Sequence, residues 1–155
     1  MIGNIDTPLH AYTEPVEGVD YSKVHIEGWR TKQELLLELS KGGFGLVWGN
    51  SENPEDERDY YKENISYKLS TYLSAGLPVV VPDYLSNAGY IREKGLGFVA
   101  SSLEEANRLV QNCTEEAYAQ MVQKASLYFL FDPQWLFYKK NYSSIPSWPW
   151  MNNIQ

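Results

Sequence analysis

The sequence predicts an α/β fold: a Rossmann-like open parallel sheet with helices on both faces. Short apolar runs bounded by glycine or proline lack helical periodicity, which is typical of strands buried on both faces. Between them lie segments with helical periodicity and capping signals, so strands and helices alternate along the chain. Units of this kind form parallel sheets through right-handed crossovers.

In the first half of the chain, residues 24–28 alternate apolar and polar side chains and end in glycine, which predicts a strand, and residues 2–5 are predicted as the remnant of another. A helix begins at Thr31, because Glu34 completes a capping box ahead of a leucine-rich face. Residues 44–48 then form an apolar run and are predicted as a strand buried on both faces.

Glycine and capping signals divide the second half of the chain. Gly76 stands where a left-handed helix end needs glycine, Gly95 closes the next helix, and Ser102 with Glu105 forms a second capping box. The predicted elements are a helix at 66–75, a strand at 78–81, a helix at 86–94, a strand at 97–99, a helix from Ser102 through 110 and a longer helix from Thr114 to about 130.

The length of 155 residues and a hydrophobic share of 43% predict one globular domain with a substantial core. We place this domain at residues 1–130. Residues 131–155 differ, because tryptophans and tyrosines stand there among prolines without regular period. We expect this aromatic tail to be ordered only by packing on the domain or on a partner.

Charge and cysteine content exclude several classes of protein. A net charge of −7 disfavours nucleic acid and anionic membrane surfaces as partners. No apolar window is long enough for a membrane span, and no signal peptide is recognisable, so we expect a cytoplasmic protein. The single Cys113 excludes an internal disulfide and fits a reducing compartment. His10 and His25 are interpreted as ordinary strand or loop residues, and no metal site is expected.

Ligands of open parallel sheets bind at the carboxyl ends of strands. The candidate segments there are Asn4, residues 28–30, residues 49–68 and residues 83–87. In residues 64–68 an amide, a hydroxyl and a lysine fall at a helix start, where free N–H groups and the cation could hold a diphosphate. In the alternative interpretation Ser66 is only a helix cap and Lys68 a solvated lysine.

The run from Lys68 to Val81, K-x-x-x-Y-L-x-x-G-x-P-V-V, resembles the C-terminal half of GT-B glycosyltransferases. It is most similar to the glucosyltransferases that extend glycans on bacterial serine-rich adhesins and to their galactofuranosyltransferase-like relatives. Residues 86–91 and 95–99, the tryptophan-ended run at 43–48, and Gly3-Asn4-Ile5 share the resemblance. It covers about residues 2–128.

The resemblance implies that this half binds the nucleotide of a UDP-sugar, which is a donor substrate and not a cofactor. Lys68 would then lie at the phosphates, with Asn64 and Ser66 at the same helix entry. Gly3 and Asn4 would approach the donor from the adjacent loop. A lysine and oriented N–H dipoles can stabilise a leaving diphosphate without a metal ion.

Two positions depart from the wider family. Thr71 stands where many relatives carry a glutamate that holds the ribose, and Glu63 falls where the first glutamate of that pair would lie. A basic residue common after Gly-Asn-Leu is missing. Arg30 is a candidate to replace it, or else an ordinary helix-entry residue.

Two functions remain open. In the first, the chain is the donor-binding domain of a bacterial hexosyltransferase; it lacks a counterpart of the acceptor-binding half and is expected to bind but not to transfer. Met1, which stands two residues before Gly3, is then expected to mark a truncated gene product or a fragment. In the second, the chain is a non-catalytic homologue that serves as a subunit or scaffold. Self-association or a partner chain on the exposed interdomain face is compatible with both.

Overall fold

The computed structural model describes residues 7–18, 20–49, 55 and 67–131. The elements in chain order are β1 (Leu9–Ala11), β2 (Val24–Ile26), α1 (Lys32–Leu39), β3 (Gly45–Leu46), α2 (Tyr67–Ser74), β4 (Val79–Pro82), α3 (Ala88–Lys94), β5 (Gly97–Ala100), α4 (Leu103–Gln111) and α5 (Glu115–Phe131). Strands and helices alternate from β2 to α4, which confirms the predicted α/β fold. The predicted strand at 2–5 and residues 132–155 of the predicted tail lie outside the described residues.

The strands that the structure describes lie in two parallel sheets. In the first, β1 pairs with β2, with His10 opposite His25. In the second the order is β3-β4-β5, and Val79 of β4 lies between Gly45 and Gly97 of its neighbours. Every described pairing is parallel. For β3, β4 and β5 the alternating pattern predicts this arrangement, whereas the pairing of β1 with β2 was not predicted.

Strand β4 forms the centre of the core because helices cover both of its faces. Val79 and Val81 are fully buried in one cluster, together with residues of α2, α3 and α5. Val80 points the opposite way and packs with Ala100 and Ala106, the latter on α4. Successive side chains of a strand point to opposite faces, so these two clusters confirm the expected placement of helices on both sides.

The capping predictions are confirmed in one case and corrected in another. At α1 the Thr31 hydroxyl accepts the Glu34 N–H, and the Glu34 carboxylate accepts the Thr31 N–H, which is a complete capping box. At α4 the Ser102 hydroxyl caps as predicted, but the Glu105 carboxylate binds the N–H and hydroxyl of Ser101 instead of Ser102. The second capping box is therefore incomplete, because the contact from the Glu105 carboxylate goes to the residue before the cap residue.

Two strands differ from the prediction. β3 spans only Gly45–Leu46 of the predicted 44–48, although the Val47 N–H still donates to the Val80 carbonyl at 2.9 Å. β1 was not predicted, because Leu9–Ala11 is too short for a period and only its pairing with β2 makes it a strand. Among the described residues no helix is long and apolar enough to cross a bilayer.

Candidate functional site

The carboxyl ends of β3, β4 and β5 meet at one side of their sheet, here named the carboxyl edge. Residues 47–49 follow β3, Asp83 follows β4 and Ser101 follows β5. The Asp83 N–H donates to the Ala100 carbonyl at 2.9 Å. This hydrogen bond aligns the carboxyl ends of β4 and β5. In parallel sheets this edge is where loops and helix starts converge on a ligand.

The last turn of α2 lies at the amino ends of the strands, because Tyr72 contacts Gly45 at the start of β3 and β4 begins at Val79, five residues after Ser74. The first turn of α2 is therefore directed to the carboxyl edge. The eight residues of the helix span about 12 Å, close to the length of a four-residue strand. Lys68 lies in the first turn and is exposed. Among the described residues it has no hydrogen-bond or ion-pair partner, so its ammonium group is available to an anion.

The position of α2 depends on the absence of a side chain at Gly45. A Cβ atom there would lie 2.3 Å from the ring of Tyr72, so only glycine lets the helix pack this closely on β3. Leu69 and Leu73 are buried on the same side. Burial also raises the pKa of the Tyr72 phenol. The face with Leu69 is thus fixed on the sheet, which leaves Lys68 on the solvent side.

Thr71 lies one turn further along α2 and is half-buried. Its hydroxyl donates to the Tyr67 carbonyl at 3.0 Å, inside the same helix. The hydroxyl oxygen still has lone pairs to accept a hydrogen bond, but its proton is engaged. A role of Thr71 toward a ribose stays a prediction.

Arg30 follows β2 and is half-buried at the start of α1. Its Nη1 donates to the Trp29 carbonyl at 3.1 Å. The positive charge of Arg30 also helps to lower the pKa of Glu27 and of Glu34, although hydrogen bonds from His10 and Thr31 are the larger causes. Arg30 therefore lies at the carboxyl end of its own sheet, and no described contact joins it to Lys68.

The remaining predicted site residues lie outside the described part of the chain. They are Gly3, Asn4, Glu63, Asn64 and Ser66. Of the eight candidates, the structure describes Lys68, Thr71 and Arg30. Their assignment to one nucleotide-sugar site stays a prediction.

The structure brings the two histidines together, which their separation in sequence did not indicate. The rings of His10 and His25 stack with centroids 5.1 Å apart, because the two residues are paired across β1 and β2. Nδ1 of His10 lies 2.7 Å from Oε1 of Glu27, and this contact is the main cause of the lowered pKa of Glu27. Within the described ranges no group of three or more His, Cys, Asp or Glu residues is placed to hold a metal ion.

A buried asparagine is a further feature that sequence reasoning missed. Oδ1 of Asn107 on α4 accepts the Thr7 hydroxyl at 2.7 Å and the Thr7 N–H at 3.3 Å. The helical period of α4 indicates that residue 107 faces inward, yet nothing in the sequence identifies a partner 100 positions away. The contact joins the segment that leads into β1 to the helix that covers β5.

Comparison with known proteins identifies the family. Residues 2–129 match the family described as glucosyltransferase 3-like, C-terminal domain. The chain is 52% identical to glucosyltransferase 3 of Streptococcus gordonii over 134 residues, which is 86% of this chain and 40% of that protein.

Two further relatives are more distant. The chain is 37% identical to glucosyltransferase 3 of Streptococcus parasanguinis over 76% of its length, and 33% identical to the beta-1,6-galactofuranosyltransferase WbbI of Escherichia coli (strain K12) over 54%. The matches cover 34% and 26% of those proteins, so the chain spans less than half the length of these relatives. The chain belongs to the family of glucosyltransferase 3-like C-terminal domains, and its resemblance to glycosyltransferases is confirmed.

Proposed function

We propose that the chain is the donor-binding half of a GT-B glycosyltransferase and that its ligand is a UDP-sugar. The observation that carries the proposal is Lys68, an exposed cation on the first turn of α2 with no partner among the described residues. It begins the run through Val81 on which the resemblance to this family rests. In such a site Lys68 would neutralise the diphosphate, with Asn64 and Ser66 beside it at the helix entry.

The chemistry of sugar transfer favours a cation at this position. As the bond between sugar and diphosphate breaks, negative charge gathers on the departing phosphate oxygens. A lysine held in place by a packed helix stabilises that charge more in the transition state than in the ground state. The close contact of Gly45 with Tyr72 fixes α2 on the sheet and thereby fixes the helix that carries Lys68.

The sugar is proposed to be a hexose. Two relatives are named glucosyltransferases and a third a galactofuranosyltransferase, so UDP-glucose is the first donor to test and UDP-galactofuranose the second. Transfer to an acceptor is expected to require the further length that the relatives possess.

Calorimetric titration of the 155-residue chain with UDP tests the proposal, with inorganic phosphate as comparator. Lys68→Ala is expected to weaken UDP binding about tenfold to a hundredfold, the range for a hydrogen bond to a charged group. Lys94→Ala is the matched control, because Lys94 ends α3 at the opposite side of the sheet and pairs with Glu93 at 3.1 Å. UDP binding no tighter than phosphate binding, or equal effects of the two variants, would show the proposal to be wrong.

A scaffold role is the rival proposal, and the same preparation tests it. Mass measurement in solution, with and without UDP, distinguishes the two functions. A monomer that binds UDP supports the donor domain. A stable oligomer or heteromeric complex that has lost UDP binding supports the scaffold.

A further inference from the structure

Asp83 continues the hydrogen-bond ladder of β4 beyond the last residue of that strand. Its N–H donates to the Ala100 carbonyl at 2.9 Å, as the Val79 N–H donates to the Leu96 carbonyl at 3.0 Å. Residues 79, 81 and 83 therefore follow one alternation, which places the side chain of Asp83 on the sheet face where Val79 and Val81 are buried. Unlike these valines, Asp83 is exposed, because it stands at the carboxyl edge.

Helix α2 covers this same face of the sheet. Leu69, in the first turn of α2, belongs to the same buried cluster as Val81 and Leu85. These two core residues flank Asp83, and Lys68 directly precedes Leu69. The first turn of α2 is directed to the carboxyl edge, because its last turn lies at the amino ends of the strands. Lys68 and Asp83 are therefore on one side of the sheet and at one edge of it.

The two charged groups are not partners of each other. No ion pair joins the Lys68 ammonium to the Asp83 carboxylate, and neither group has a partner elsewhere in the described part of the chain. Glu105 differs, because its carboxylate accepts the N–H and the hydroxyl of Ser101 at 2.7 and 2.6 Å. Two opposite charges are thus available at the carboxyl edge, one for an anionic group and one for a group that donates hydrogen bonds.

A nucleotide-sugar contains both kinds of group. Its diphosphate is anionic, and the sugars on the two sides of the diphosphate carry neutral hydroxyl groups. A carboxylate repels a diphosphate at close range, whereas it accepts hydrogen bonds from hydroxyls. Of the two sugars, the ribose is predicted at Thr71 on α2, so the hexose is the sugar that remains for Asp83.

We propose that Asp83 is a specificity-determining residue, whose carboxylate accepts hydrogen bonds from the hydroxyl groups of the donor hexose. Lys68 binds the diphosphate, and the two opposite charges orient the donor along the carboxyl edge with its hexose at the end of β4. This role rests on the proposed function. It extends that function to a strand end that contains none of the predicted site residues.

Calorimetric titration of the full chain with UDP and with UDP-glucose tests the role. Asp83→Ala is expected to weaken UDP-glucose binding about tenfold, the worth of a hydrogen bond to a charged group. Asp83→Asn, which keeps the volume and removes the charge, should weaken it about threefold to tenfold. UDP binding should stay unchanged or become slightly tighter in both variants, because a negative charge near the diphosphate is removed.

Two further variants serve as comparators. Lys68→Ala should weaken the binding of UDP and of UDP-glucose alike, because both ligands contain the diphosphate. Glu93→Gln is the matched control, since it removes an exposed carboxylate of α3 that pairs with Lys94 at 3.1 Å. It should change neither affinity.

The outcomes separate this role from the proposed function. Unchanged UDP-glucose binding in both Asp83 variants, in a chain that binds UDP, would overturn the role of Asp83 and leave the proposed function intact. Equal losses of UDP and UDP-glucose binding would also overturn it, because Asp83 would then act on the nucleotide and not on the hexose. An unmodified chain that binds neither ligand would overturn the proposed function and this role together.

Discussion

Gly97 lies so close to the backbone of Val79 that a Cβ atom on it would sit 1.8 Å from the Val79 carbonyl oxygen. Its φ of +155° is also a conformation that residues with side chains rarely adopt. Because Val79 is the buried start of the central strand, the first residue of β5 has to be glycine for the two strands to pair.

Gly97→Ala is therefore expected to lower the free energy of unfolding by about 3 kcal/mol or more, through strain at φ and displacement of β5. Denaturant unfolding measures the change. The matched control is Gly89→Ala in α3, where a Cβ atom would meet no atom within 4 Å. Alanine there should be neutral or stabilising by up to about 1 kcal/mol. Equal effects of both substitutions would contradict the close contact of Gly97 with Val79.

Gly45 and Tyr72 form a second close contact, and they should be coupled. Gly45→Ala is expected to cost about 2 kcal/mol, because the new methyl group overlaps the Tyr72 ring. Tyr72→Ala should cost about 3 kcal/mol through the cavity that it leaves. The double variant should be less destabilised than the sum of the single variants, since removal of the ring makes room for the methyl group. Strict additivity in denaturant unfolding would show that the two residues do not meet.

The prediction of the fold succeeded where the signals are local. The capping box at Thr31, the apolar strand before Asp83 and the glycine end of α3 can each be read within a few residues. β1 and the Ser101–Glu105 contact depend on which segments become neighbours and on side-chain reach. Sequence periodicity contains neither kind of information, so these features required the structure.

Tyr118 fixes the loop that precedes β3. Its hydroxyl accepts the Gly43 N–H at 2.8 Å and donates to the Gly43 carbonyl at 3.1 Å. Tyr118→Phe is expected to lower the free energy of unfolding by about 1 to 2 kcal/mol, because both bonds are lost. The control is Tyr67→Phe, since Tyr67 is 72% exposed. Thermal unfolding that is unchanged in Tyr118→Phe would contradict the anchoring role.

Acid should destabilise the fold in part because it protonates the carboxylates that accept hydrogen bonds at the starts of α1 and α4. Hydrogen bonds from Thr31 and Ser101 lower the pKa of Glu34 and Glu105 below the ordinary value of 4.5. Because the folded values are depressed, this stabilisation is present above pH 4.5 and is lost as the pH falls through the folded values. Unfolding measured between pH 6 and pH 3, values chosen to bracket about 4.5, should show a shallower acid slope in the Glu34→Gln/Glu105→Gln variant. Equal acid slopes in this variant and in the unmodified chain would contradict the role of the two carboxylates.

Only part of the candidate site could be predicted from patterns in the sequence. The sequence places Lys68 at the start of a helix, and the structure agrees, because the helix begins one residue earlier at Tyr67. The pairing of Asn107 with Thr7 and the stacking of His10 on His25 bring together residues that no motif connects. Such contacts follow from the topology of the sheets, which becomes visible only once the chain is folded.

Amide chemical-shift mapping with UDP tests most directly the claim that a nucleotide binds at the carboxyl edge. We expect the largest shifts in the first turn of α2, from Tyr67 to Ser70, and at Asp83. Gly43 and Gly95 lie at the opposite ends of the strands and should change little. Lys68→Ala should require about tenfold to a hundredfold more UDP to produce the same shifts. Shifts confined to Gly43 and Gly95, or no shifts at saturating UDP, would contradict the account.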